Sequence, residues 1–130
     1  MNDVVWVYGT LRRGASNGHR MEGAEYLGPA AVHGRLFLID TFRDFAYPAL
    51  IPDADAGLVV GDAFSVPPQI LAGLDDFEGE EYDRVKLSLI DPTTGKEHSL
   101  PQAWAYVWNR PVEDRQIIAG GDWIAAYGAG

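Results

Sequence analysis

Between Tyr82 and Asp91 the chain reads YDRVKLSLID. Val85, Leu87 and Leu89 fall on one side, Arg84, Lys86 and Ser88 on the other. A period of two marks a strand with one face on a core. The same extended character recurs in Val4–Tyr8, in "EYLGPAAVHGRLFLID" (Glu25–Asp40), in "GLVVGDAFSV" (Gly57–Val66) and in "AWAYVWN", where Trp104, Tyr106 and Trp108 share a face. That aromatic stripe reads as core or barrel wall. Gly28-Pro29 predicts an irregularity early in the second segment, Gly61 a bulge or close backbone approach, and Pro48 in "AYPALIPD" an edge or loop position. "DPTTGKE" is turn chemistry.

Only "PPQILAGLDDFEG" (Pro67–Gly79) carries a full helix signal, with prolines at its start and a glycine stop. Shorter helical pieces are expected near Asn17–Gly23 and Gly121–Tyr127. Many strands against one good helix predict an α+β chain, a small mixed β-barrel of about five to seven strands flanked by a few helices. At 130 residues a single domain, 1–130, is expected.

The helix carries a carboxylate in an unusual place. On a wheel advancing about 100° per residue, Ile70, Leu71, Leu74 and Phe77 share one arc. Asp75 lies at its margin and Asp76 outside it, but Glu78 falls inside. A carboxylate facing a core is unfavourable unless paired or neutralised, which makes it a candidate for chemistry. The wheel leaves a second reading open, because a side chain in the last turn can swing to water. Glu81, beside Tyr82 at the next strand, is the rival acid.

A second candidate lies in "VVWVYGTLRRG". The first strand stops at Tyr8-Gly9-Thr10-Leu11, and a doubly basic pair follows. Two readings stand: a plain β-turn, or a loop whose N–H groups hold an anion. Arg12-Arg13 themselves read as a solvated pair.

Other chemistries lack residues. With no cysteine, disulfides, thiolate metal sites and a Cys nucleophile are excluded. His19, His33 and His98 lack ligand spacing, and Asp53-x-Asp55 lacks the rest of a calcium loop. The glycines at 9, 14 and 18 fit neither GxGxxG nor the P-loop, and no GxSxG elbow occurs. A net charge of −9 argues against a nucleic-acid partner. No apolar run approaches the roughly 20 residues that span a bilayer, so no membrane partner is expected. The N-terminus enters a strand without a basic leader, so a cytoplasmic location is expected.

Taken in order, Tyr8-Gly9-Thr10-Leu11 and then Leu74, Asp75, Glu78, Tyr82 and Arg84 resemble the γ-glutamylcyclotransferase family, in particular its small γ-glutamylamine cyclotransferase-like (AIG2-like) branch. "YPAL" at Tyr47–Leu50 and the late "GDW" add to the likeness, which spans nearly the whole chain. The resemblance implies a small barrel with a ligand cavity at one end. It also implies a reaction in which a substrate's α-amine attacks its own γ-carbonyl, giving 5-oxoproline and a free amine. That chemistry needs no cofactor and no metal. Glu78 matches the catalytic position, as base and then acid, and Tyr8, Gly9, Thr10 and Leu11 match the substrate loop. Gly9 is expected to make room for the ligand. The expected partner is a small γ-glutamyl compound, with the chain a monomer or weak homodimer. The same residues also fit a binding module without turnover, or a tailoring enzyme that removes a γ-glutamyl group from a biosynthetic intermediate.

Overall fold

The structure, a computed structural model, describes residues 2–15, 17–40, 46–112, 115–118 and 120–127. Seven strands occur among them: β1 (Asp3–Val7), β2 (Glu25–Asp40), β3 (Ala46–Pro52), β4 (Leu58–Val66), β5 (Tyr82–Ile90), β6 (Glu97–Trp108) and β7 (Gln116–Ile117). The helices are α1 (Pro68–Glu78) and α2 (Trp123–Tyr127), and a 3₁₀ turn spans Gly18–Met21.

The strands β2, β4, β1, β6 and β5 hydrogen-bond in that order, and an Ala31–Ile90 pairing between β2 and β5 closes the ring. Every neighbour is antiparallel except β1 and β6, so the barrel is mixed, as the sequence implies. The second half of β2 runs out of the barrel and carries β3 on one side and β7 on the other. Pro48 sits on β3 opposite Leu38. The irregularity expected at Gly28 is a register shift in β2 between Tyr26 and Gly28, where Gly28 takes φ +122°.

Period-two alternation lets one strand serve two cores. Trp6 and Tyr8 point into the barrel and stack with ring centroids 5.2 Å apart. Ala30, Ala63, Ala103 and Ala105 belong to the same interior cluster, and their small side chains leave volume for the two rings. Trp6 donates its indole N–H to the Ala30 carbonyl at 2.9 Å, so the buried ring leaves no orphan donor. Val5 and Val7 point outward beneath α1, where they meet Leu71 and Leu74. Burying such a leucine contributes roughly 1.5–3 kcal/mol. Trp104 and Tyr106 join this outer layer, and Trp108 packs in a third cluster, so the aromatic stripe is barrel wall.

Gly61 shows the close approach expected of it, without a bulge of its own. A side chain there would run into the Val7 carbonyl and the Trp6 indole. Both are fixed by burial, so the clash cannot be relieved by a rotamer change. We expect Gly61→Ala to lower the denaturant midpoint by an amount equivalent to about 1–3 kcal/mol, the range for overpacking a core. An unchanged midpoint in chemical denaturation would contradict this packing.

Candidate active site

Helix α1 ends at Glu78 because Gly79 adopts φ +78° and ψ −166°, an extended positive-φ conformation open to glycine that stops the helix. Leu71 and Leu74 are buried beneath it, and residue 78 follows them at helical spacing on the same face. Glu78 therefore turns inward, as the wheel predicts, into a cavity of about 210 Å³. Asp75 turns aside and meets Arg84 Nε at 2.9 Å and the Tyr106 hydroxyl at 2.7 Å. Asp76 is exposed.

No lysine or arginine lines this cavity among the described residues. Burial pushes the Glu78 carboxyl up from 4.5 to about 7. Its place at the negative end of the helix dipole acts in the same direction. The acid is thus poised to exchange a proton near neutral pH.

The loop after β1 forms the facing wall, and Tyr8, Gly9, Thr10 and Leu11 all line the cavity with Glu78. Two of its carbonyls are occupied internally. Gly9 O accepts from Arg12 N at 3.1 Å, and Thr10 O from Asn17 N at 2.8 Å. The Asn17 amide also donates to the Thr10 hydroxyl at 3.0 Å. The N–H groups of Gly9, Thr10 and Leu11 have no acceptor among the described residues. Three successive backbone donors left without an acceptor favour an anionic or carbonyl ligand.

Individual side chains in this loop do more structural work than the sequence suggests. The Tyr8 hydroxyl donates to the Tyr106 carbonyl at 2.7 Å and accepts from Leu50 N at 3.3 Å. Tyr8 thereby ties β1 to β6 and β3, and its ring is the cavity wall. Burial and the nearby Glu78 charge both push its phenol upward, so it stays neutral. Leu11 is buried with Met21 and Leu74 in the outer core. At Gly9 a Cβ would lie 2.5 Å from Pro48 Cγ. The expectation that Gly9 makes room for a ligand therefore needs correction: a rigid proline ring of β3 takes that space.

Tyr106, Pro48 and Tyr82 also reach the cavity. Tyr106 comes from the aromatic stripe, Pro48 from the YPAL stretch, and Tyr82 donates its hydroxyl to the Pro48 carbonyl at 2.6 Å. Glu81 also lines the cavity but is exposed, at its mouth. The side chain of Tyr47 lies outside the described residues. Arg12 departs from expectation. It is not solvated but largely buried, paired with Asp62 at 3.3 Å and Asp122 at 3.0 Å. The lone acid in the apolar run GLVVGDAFSV was the available signal for Asp62. Among the described residues no three His, Asp or Glu side chains converge as a metal site, and no helix is long and apolar enough to cross a membrane.

Residues 5–125 match the family described as γ-glutamyl cyclotransferase, AIG2-like. The chain belongs to this family. It is 34% identical over 125 residues to the γ-glutamylcyclotransferase family protein YtfP of Escherichia coli K12, covering 92% of this chain and 95% of that one. The solution structure of ytfP from Escherichia coli superposes with a TM-score of 0.66 at 29% identity, over 95% of this chain and 97% of that one. A crystal structure of a mouse AIG2-like protein superposes with a TM-score of 0.64 at 26% identity, over 82% and 76% of the two chains. The γ-glutamyl cyclotransferase, AIG2-like fold is thus the barrel described above.

The raised Glu78 pKa makes stability depend on pH. The folded state holds its proton up to about 7, whereas the unfolded chain releases it near 4.5. The contribution is fully present below the unfolded value and is lost as pH rises to the folded one. Glutamine has no proton to lose. We therefore expect Glu78→Gln to gain stability relative to the parent as pH rises from 4.5 to about 7, then to hold a constant advantage. Urea denaturation of both proteins across this window measures it. A pH-independent difference would contradict the burial of the charged form.

Proposed function

We propose that this chain is a γ-glutamylcyclotransferase that converts a γ-glutamyl amine or peptide into 5-oxoproline and a free amine. The observation that carries the reading is a single cavity lined both by Glu78, held up to about 7, and by Gly9, Thr10 and Leu11, whose N–H groups have no acceptor among the described residues. Family membership supports it from a separate direction.

The α-amine of the substrate attacks its own γ-carbonyl carbon, forming the ring C–N bond and a tetrahedral oxyanion. Glu78 takes the proton that the attacking nitrogen must lose. The γ-amide C–N bond then breaks, and Glu78 returns the proton to the departing nitrogen. No water is consumed, and one carboxyl group serves both transfers. The backbone N–H groups of the loop hold the substrate's α-carboxylate or the developing oxyanion, a task that needs donors and no cation. A 210 Å³ cavity is below the range of about 300–1,000 Å³ for drug-sized ligands. It suits the γ-glutamyl moiety and leaves the amine portion toward the mouth at Glu81. The proposal includes a cytoplasmic setting, a small-molecule substrate and a monomer or weak homodimer.

The test is release of 5-oxoproline from a panel of γ-glutamyl amines and dipeptides. Glu78→Gln keeps the shape but cannot carry a proton, and the expected loss in kcat is at least about a hundredfold. Glu81→Gln is expected to retain turnover, since that acid stays hydrated at the mouth. The acid limb of kcat/KM should fall near pH 7, where Glu78 ionises. An active Glu78→Gln beside a dead Glu81→Gln would move the chemistry to the other acid. Tight binding of γ-glutamyl compounds by the wild type without product would make the chain a binding module.

A further inference from the structure

Apart from Glu78, whose carboxyl faces the cavity, Asp62 is the charged residue most fully buried among the described residues, and the proposed chemistry makes no use of it. It sits on β4, opposite Val7 at the end of β1 and Pro29 on β2. One of its oxygens accepts the Arg13 backbone N–H at 3.0 Å and Arg12 Nε at 3.3 Å. The other accepts the Tyr26 hydroxyl at 3.4 Å. Arg12 reaches onward to Asp122 at 3.0 Å, whose carboxylate also takes the Ala125 N–H at 3.0 Å. The Arg13 guanidinium lies over the Tyr26 ring, 4.6 Å from its centroid.

A charge in a core is tolerated only when its partners satisfy it, and removing one leaves the other uncompensated. This cluster therefore has one low-energy arrangement, and it grips the two residues that directly follow Leu11, Arg12 by its side chain and Arg13 by its backbone N–H. Left to itself, a loop with open N–H groups can close them onto its own carbonyls. Here the far end of the loop is pulled toward β4, while Leu11 is held in the outer core.

We infer that Asp62 is a positioning residue for ligand binding: through Arg12 and the Arg13 amide it holds the Gly9–Leu11 N–H groups open toward the cavity. This rests on the loop acting as the anion-binding wall of the proposed site. Asp62 touches no substrate, and its effect is on affinity rather than on proton transfer.

The experiment compares wild type with Asp62→Asn, Arg12→Gln, Arg12→Lys and the Asp62→Asn/Arg12→Gln double variant. The readouts are 5-oxoproline affinity by calorimetry, and KM and kcat for a γ-glutamyl alkylamide, all well below each variant's melting temperature. Asp62→Asn and Arg12→Gln are each expected to weaken 5-oxoproline binding and raise KM about tenfold, with kcat changed far less. Because the two residues act as a unit, the double variant should be little worse than either single one. Arg12→Lys keeps a cation beside Asp62 and should recover part of the loss. If Asp62→Asn fails to fold, the Arg12 pair of variants carries the test alone. A merely structural role would reduce the folded fraction and leave KM and affinity of the remaining protein unchanged. That result in folded Arg12→Gln overturns the inference while leaving the cyclotransferase reading intact. A wild type that neither binds 5-oxoproline nor turns over any γ-glutamyl amide overturns that reading, and the inference with it.

Discussion

The Glu78 carboxyl is taken out of water at the last position of α1, with no cation lining its cavity among the described residues. Much of the surrounding architecture is arranged to make that possible. Leu71 and Leu74 bind the helix to the outer face of β1, and Gly79 ends it so that residue 78 stays inside. Arg84, the nearest arginine in sequence, is drawn to Asp75 and stacked over Trp104 instead. A paired Glu78 would be an ordinary carboxylate, ionised throughout the working range and a poor acid. Keeping the cation one turn away preserves a group that can both accept and return a proton.

The opposite wall depends on a different use of charge. The loop after β1 offers backbone donors, which are strong only if they are fixed before the ligand arrives. Tyr8 fixes one end through β6 and β3, and the Asp62–Arg12–Asp122 cluster fixes the other. The net charge of −9 therefore says little about the site. Its lining, by contrast, offers no lysine or arginine among the described residues, which leaves N–H and hydroxyl groups as its donors.

How much of this was legible depended on sequence distance. The alternation in Tyr82–Asp91 located β5 to within one residue, and the apolar arc of Ile70, Leu71, Leu74 and Phe77 placed Glu78 inside. Both are local patterns, and local patterns are written in the sequence. Arg12 and Asp62 are 50 positions apart, and nothing near either one states that they meet. The same holds for Pro48 against Gly9 and for the Ala31–Ile90 pairing that closes the barrel. The break of the first strand at a glycine signalled a constraint at Gly9, but the neighbour that imposes it belongs to β3. Tyr106 was visible only as one ring of a stripe. Its presence in the cavity follows from β6 passing beneath the end of α1, a tertiary fact.

A direct measurement of the Glu78 carboxyl is the sharpest test. Side-chain ¹³C chemical shifts followed across pH, with the resonance assigned by its absence in Glu78→Gln, give its titration in the folded protein. The account predicts a midpoint of about 7. A midpoint at the ordinary glutamate value near 4.5 would show the carboxyl to be hydrated or paired, and would contradict the claim that the fold holds Glu78 out of water.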